Sequence, residues 1–256
     1  MSSAIICIVP RLLEAGSADG CNVKPLIKIA RSCANCHEHY ARAIPSVVMI
    51  IRNFVVFEGG DGTGTSTQLS LLKERLAKAE RGPAYSIGYE PTDGPIGALV
   101  RSALKGETRL KPETVARLFA ADRGEHLYAK DGVVERAARG ELVVSDRYVP
   151  SSLVYQGLAC GEEVTTALNS DFPKPELILF FDVDPHVAIK RIQNREVKDE
   201  FEKLDFQLLV KERYERILSA YAGTETRVAR IDASLPIEKV SELVWSELRK
   251  LPIFGM

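Results

Sequence analysis

Phe54-Val55-Val56-Phe57-Glu58-Gly59-Gly60-Asp61-Gly62-Thr63-Gly64-Thr65-Ser66-Thr67 is the stretch from which the rest of the chain is read. Its apolar opening, Phe54 to Phe57, predicts a strand buried on both faces, as in a parallel sheet. The glycines that follow allow positive φ and the close approach of an anion. Beyond them Leu69, Leu72 and Leu76 fall on one helix face, with Lys73, Glu74 and Lys78 largely elsewhere. A buried strand, a glycine-rich turn and a helix gather backbone N–H groups and a helix N-terminus around one point. That arrangement binds phosphate.

The turn fits the phosphate-loop pattern G-x-x-x-x-G-K-[ST] from Gly59 to Ser66 with one departure: Thr65 stands where lysine is expected. Gly59, Gly60, Asp61, Gly62, Thr63, Gly64, Thr65, Ser66 and Thr67 are therefore the expected nucleoside triphosphate site, with the Ser66 hydroxyl offered to Mg²⁺. The usual lysine reaches the β and γ phosphates and offsets charge in the transition state. A threonine hydroxyl hydrogen-bonds but brings no charge, and losing one preorganised donor costs on the order of a few kcal/mol of barrier. Either another cation takes over or the reaction is slow. A glycine-rich turn with no ligand is the plainer alternative; the strand before it and the helix after it argue against that.

Outward from the loop, strands and helices alternate. Ala84 to Tyr89, Leu142 to Val144, Leu177 to Phe181 and Val228 to Ile231 read as further strands. Pro95 and Pro112 open helices, and a last helix runs from about Pro236 to Lys250. This alternation predicts an α/β fold of the P-loop NTPase type: a five-stranded parallel sheet with helices on both faces. A small lid is expected at about 191–204, where Arg191 and Arg195 are followed by Val197-Lys198-Asp199-Glu200.

Composition sets outer bounds. The chain has 256 residues, 45% hydrophobic and 27% charged, enough for one domain and a short extension. A formal net charge of −1 gives no bulk attraction to nucleic acid or anionic membrane. No apolar run reaches the roughly 18 residues of a membrane span, and Ala4 to Val9 lacks the features of a signal peptide. Four of the five cysteines, Cys7, Cys21, Cys33 and Cys36, precede residue 37, so no disulfide framework supports the body, and a reducing cytoplasm fits. Residues 1–48 lack a sustained period and read as an atypical extension. Cys33-Ala34-Asn35-Cys36-His37 has haem-attachment spacing, and His39 adds a potential metal ligand; covalent haem would require export, so a solvated segment is the stronger reading. Met49 lies just ahead of the first strand, and translation is expected to begin there, making 49–256 the functional domain.

Four blocks in this order resemble the thymidylate kinase family of P-loop nucleoside monophosphate kinases. They are Phe57 to Gly64 with Ser66-Thr67-Gln68; Glu90-Pro91-Thr92-Asp93-Gly94-Pro95-Ile96-Gly97; Leu118-Phe119-Ala120-Ala121-Asp122-Arg123; and Asp146-Arg147-Tyr148 with Ser151-Ser152 and Tyr155-Gln156-Gly157. The resemblance runs from about Phe54 to near the C-terminus. It implies transfer of a phosphoryl group from ATP-Mg to dTMP, giving ADP and dTDP, and a homodimer formed through helices. Kinase activity on another monophosphate and non-catalytic nucleotide binding are the rival readings; Thr65, Tyr89 and Glu200 favour the second, and the intact acceptor blocks oppose it.

The residue chemistry agrees with the implied roles. Phe119 and Arg123 are i and i+4, so one helix face can stack a base and bond its edge, although a phenylalanine at such a position is more often core. Arg147 follows a strand's C-terminal end, where doubly wound sheets bind ligands, and its fork suits a monophosphate. The resemblance implies Asp146 at the metal, Asp61 near the acceptor phosphate and its metal, Ser152 and Gln156 at the base, and Tyr155 by the sugar, disfavouring a 2′-hydroxyl. Arg101 is expected near the acceptor phosphate, a solvated helix arginine being the alternative. Tyr89 stands where the family often has arginine. Asp61, Arg147, Arg191 and Arg195 are the expected catalytic set, with Arg195, assisted by Arg191 or Lys198, offsetting the missing lysine.

Overall fold

The computed structural model describes residues 49–79, 82–192 and 200–255, the side chains of 192 and 200–203 excepted. The expected extension, the Cys33–His37 spacing, Arg195 and Lys198 lie outside the described residues.

The sheet has five parallel strands: β1 (Ile50–Gly59), β2 (Tyr85–Tyr89), β3 (Leu142–Asp146), β4 (Lys174–Asp182) and β5 (Arg227–Asp232). Their order is β2-β3-β1-β4-β5. The helices are α1 (Thr65–Lys78), α2 (Pro95–Leu104), α3 (Pro112–Tyr128), α4 (Val133–Ala138), α5 (Val149–Cys160), α6 (Glu162–Asn169), α7 (Pro185–Ile192), α8 (Glu200–Ser219) and α9 (Ile237–Leu248). The apolar run of β1 is buried on both sides, as read. Val55 and Phe57 join Leu69, Leu72 and Leu76 of α1 and Val240, Val244 and Leu248 of α9 in one core cluster. Phe54 and Val56 face the other side, against Leu127 of α3 and Val133 of α4. A third cluster sets Phe180 of β4 against Val154 of α5 and Val210 and Tyr214 of α8.

Two strands run further than the apolar pattern predicts. β1 begins at Ile50 because Asn53, at φ 62°, forms an irregularity whose N–H donates to Glu176 Oε2 at 2.7 Å. The same Glu176 interrupts the apolar pattern of β4, which nevertheless starts at Lys174. Each carboxylate or turn inside the strand satisfies the other, so the ladder continues where periodicity alone reads a boundary.

Register places the functional ledge. Phe57 of β1 and Tyr89 of β2 both align with Asp146 of β3. The ladder continues one step beyond, Arg147 N–H donating to Phe57 O at 2.9 Å and Glu90 N–H to Asp146 O at 3.0 Å. The connection from β1 leads to β2 on one side and that from β3 crosses to β4 on the other, so β1 and β3 flank a switch point, and the crevice there, outside the strands' carboxyl ends, is where these sheets bind ligands.

Candidate active site

The loop after β1 is built to hold an anion. Gly62 (φ 81°) and Gly64 (φ 93°) take left-handed conformations that would strain other residues. Thr63 closes the turn by donating Oγ1–H to Gly60 O at 2.8 Å. Helix α1 starts at Thr65 with no side-chain cap and no acidic residue in its first turn. Its leading N–H groups are therefore free to meet a phosphate. Thr65 itself is buried, while Ser66 and Thr67 are exposed.

Beside the loop, β3 supplies a carboxylate. Asp146 Oδ2 accepts from Ser66 Oγ at 3.4 Å, and Asp146 Oδ1 is buried with no hydrogen-bond partner among the described residues. Burial holds this carboxyl above the usual aspartate range, against the pull of Arg147 and of the Thr65 and Ser66 hydroxyls. An orphaned carboxylate oxygen next to a serine hydroxyl fits a divalent cation that takes its remaining ligands from phosphate and water.

Arg147 follows directly, in a left-handed backbone conformation (φ 70°). Its guanidinium donates Nη2–H to Asp61 Oδ1 at 2.7 Å and Nη1–H to Gly59 O at 3.1 Å and Ser151 Oγ at 3.3 Å. Its centre lies 5.2 Å from the Tyr155 ring centroid. The side chain is 27% exposed, so the cation is partly buried against the loop that it grips.

A cavity of about 280 Å³ opens next to this cation, lined by Phe119 and Arg123 of α3, Ser152, Tyr155 and Gln156 of α5, and Asp61, Glu90 and Arg147. The residues read from three separate sequence blocks thus converge. The Tyr155 hydroxyl is buried without a hydrogen-bond partner among the described residues. Arg123 is more constrained than its motif implies. It is 1% exposed and donates Nε–H and Nη2–H to Glu90 Oε2 at 2.9 and 2.7 Å and Nη2–H to Ser152 Oγ at 2.8 Å. Its Nη1 also donates to Asn169 Oδ1. One N–H of Nη1 remains for a ligand.

Other expected residues stand apart. Arg101 is not among those lining the cavity; its Nη1 donates to Pro91 O at 2.9 Å and to Thr92 O, and its Nη2 lies 3.6 Å from Asp93. It braces the segment after β2. Arg191, on α7, donates Nη2–H to Ala233 O at 3.0 Å, beside β5. Tyr89 bonds Asp93 through its hydroxyl.

The sequence reading missed three supports. Asp122 accepts from Thr92 N–H and Thr92 Oγ1–H, both at 2.7 Å, and so holds the segment after β2. A Cβ at Gly97 would stand 2.0 Å from Thr92 O, so glycine alone lets α2 start against that segment. Glu58 is fully buried at the end of β1 and accepts from Tyr148, Ser151 and Tyr214. Its signal was present: a carboxylate continuing an apolar strand must have partners inside the fold.

A family model described as Thymidylate kinase matches residues 57–244. A Treponema pallidum protein provisionally named a thymidylate kinase is 41% identical over 204 residues, covering 78% of this chain and 97% of its own length. A Pyrobaculum aerophilum protein with a similarly provisional name is 42% identical over 203 residues, 78% of this chain and 98% of its own. One from Aeropyrum pernix is 40% identical over 179 residues, 70% and 84%. By this family match and these relatives, the chain belongs to the thymidylate kinase family of phosphotransferases.

Proposed function

We propose that the protein transfers the γ-phosphoryl group of ATP to dTMP, giving ADP and dTDP, with Mg²⁺ bound between Ser66 and Asp146. The observation that carries the reading is the Arg147 guanidinium, which touches the donor loop at Gly59 O and Asp61 while lining the acceptor cavity. A cation in that place faces both reacting phosphates.

Phosphoryl transfer needs positioning and charge rather than covalent chemistry. The loop N–H groups and the α1 N-terminus hold the donor phosphates. The metal, when bound, neutralises charge that develops on them. Phe119 stacks the base, Arg123 and Ser152 address its edge with Gln156 close by, and Tyr155 lies against the sugar. The acceptor phosphate is already an anion at neutral pH, so no general base is required. Thr65 contributes no charge, which leaves Arg147 the larger share of transition-state stabilisation; Arg195 and Arg191, from the lid region, are the further cations proposed to close over ATP.

Among the described residues no helix is long and apolar enough to cross a membrane. A cytoplasmic homodimer is the proposed working state; exposed Leu99 on α2 and Tyr128 on α3 are apolar surface available to such an interface. The test is ADP release by the purified chain with ATP and Mg²⁺ across the nucleoside monophosphates. Turnover is expected to be fastest with dTMP. Tight dTMP binding without turnover would instead establish a nucleotide-binding protein, and preference for another monophosphate would reassign the base pocket.

A further inference from the structure

Glu58 closes β1 with a carboxylate where a buried strand should be apolar, and its side chain is completely enclosed. Every acceptor position is used. Oε1 takes the N–H of Tyr148 at 2.9 Å and of Ser151 at 3.4 Å, the leading backbone groups of α5. Oε2 takes the Ser151 hydroxyl at 2.6 Å and the Tyr214 hydroxyl at 3.0 Å. Helix α5 has no capping side chain of its own, so a carboxylate from a different strand serves as its N-terminal cap.

The capped turn is the one that carries Arg147. Its left-handed backbone is a conformation that a non-glycine residue holds only when its surroundings impose it. Three fasteners surround it. Arg147 N–H is held by Phe57 O at 2.9 Å, Arg147 O accepts from Ser145 Oγ at 2.8 Å, and the next residue's N–H is held by Glu58. The first two are local to the ends of β1 and β3. Glu58 alone among them ties the turn to other elements: through Ser151 to α5, which also contacts Arg147 Nη1, and through Tyr214 to α8. Tyr214 in turn lies 3.2 Å from Gly59 O, the same carbonyl that Arg147 grips.

We propose that Glu58 is a positioning residue for phosphoryl transfer: by capping α5 and binding the Ser151 and Tyr214 hydroxyls it fixes the turn that aims the Arg147 guanidinium at the donor loop. The inference rests on the assignment of Arg147 as the cation between the two phosphates. Glu58 touches no substrate and acts only through that arginine. The cost of the arrangement is a buried carboxyl, which burial pushes up to about 7 against the opposing pull of Ser151, Arg147 and Tyr214. A residue kept at that cost has a task that an apolar side chain of the same size would not perform.

The test is single-turnover kinetics with ATP-Mg and dTMP on four proteins: wild type, Glu58→Gln, Arg147→Ala and the double variant. Glutamine keeps the shape and can still accept from the two N–H groups, while both hydroxyls can reverse to receive its amide. Assayed at pH 8, above the value to which burial raises the wild-type carboxyl, it lacks the charge that strengthens all four bonds. A misaimed catalytic group is expected to lower the rate of Glu58→Gln about tenfold, with the ATP KM changed by less than about twofold. In the Arg147→Ala background the same substitution is expected to change the rate by less than about twofold, because residues acting as one unit are not additive. An equal loss in both backgrounds, or a wild-type rate in Glu58→Gln, overturns the positioning role while leaving the arginine assignment standing. A wild-type rate in Arg147→Ala overturns the arginine assignment itself and the inference with it. Should Glu58→Gln not fold, Tyr214→Phe, which removes one hydroxyl from Oε2, replaces it in the same cycle; a loss of a few-fold confined to the Arg147 background is expected, and an equal loss in both overturns the proposal.

Discussion

Arg147 and Asp61 meet at 2.7 Å across the gap between the end of β3 and the glycine loop, the one side chain 27% and the other 51% exposed. The pair joins the end of β3, beside the proposed acceptor cavity, to the loop proposed to hold the donor. Arg147 is partly buried but Asp61 is half exposed, so the pair adds little to stability and its worth lies in aim. Asp61→Asn keeps a hydrogen bond but removes the charge. Its melting temperature is expected to stay within a few degrees of wild type while kcat falls about tenfold, read by thermal denaturation and steady-state assay side by side.

Thr65 occupies the place from which a lysine would reach the phosphates. The helix start is uncapped and Gly64 already supplies the left-handed turn that the loop needs. Thr65→Lys is therefore expected to raise kcat about tenfold, equivalent to about 1.4 kcal/mol of barrier. Unchanged or lower kcat would mean that the arginines leave no charge deficit for a lysine to fill.

Asp146 carries a buried, unpartnered oxygen beside Ser66. Removing Mg²⁺ with a chelator is expected to abolish turnover. Asp146→Asn is expected to raise the Mg²⁺ concentration for half-maximal rate roughly ten- to a hundredfold, in line with the loss of a carboxylate that orients or ligates a metal. Titrating the rate against Mg²⁺ for both proteins checks this.

Arg123 and Glu90 form an ion pair 1% and 2% exposed. Arg123→Ala strands a carboxylate in the interior and is expected to destabilise the fold by about 3 to 5 kcal/mol, measured by urea denaturation. Phe119→Ala, on the same helix but at the cavity wall, is expected to weaken dTMP binding with a smaller stability loss.

Glu58 makes stability depend on pH. Its carboxyl titrates near 7 in the fold against an ordinary value of 4.5. Between those limits the native state holds a proton that the unfolded state has released, so stability falls as pH rises through that window and levels off above it. Wild type is expected to lose up to about 3 kcal/mol relative to Glu58→Gln between pH 4.5 and 8. The groups facing this carboxyl are Ser151, Arg147, Tyr214, Tyr155 and Tyr221, and the difference between the two proteins isolates the glutamate from them. Parallel curves for the two would show that Glu58 does not titrate there.

The fold was legible because its decisive signals are local. The apolar run Phe54 to Phe57 and the leucines of α1 report burial through spacing alone, and the core places them as that spacing requires. Asn53 and Glu176 were not legible, since each looks like a strand boundary until the other is brought to it by folding. The cavity was readable in part: Phe119, Arg123, Ser152, Tyr155 and Gln156 lie in two sequence blocks that the sheet topology brings together. Side-chain direction was not. Arg101 and Arg123 are equally arginine on paper, yet one turns onto the carbonyls of Pro91 and Thr92 and the other into a buried ion pair. The positive φ of Arg147 follows from the register of β1 with β3 and leaves no trace in its own sequence.

The most direct measurement is dTMP-dependent formation of ADP by wild type and by Arg147→Ala under saturating ATP-Mg. With no lysine in the loop, wild type is expected to turn over and Arg147→Ala to lose on the order of a thousandfold in kcat with its melting temperature preserved. Arg147→Ala that turns dTMP over at the wild-type rate would contradict the assignment of this arginine as the cation between the two phosphates.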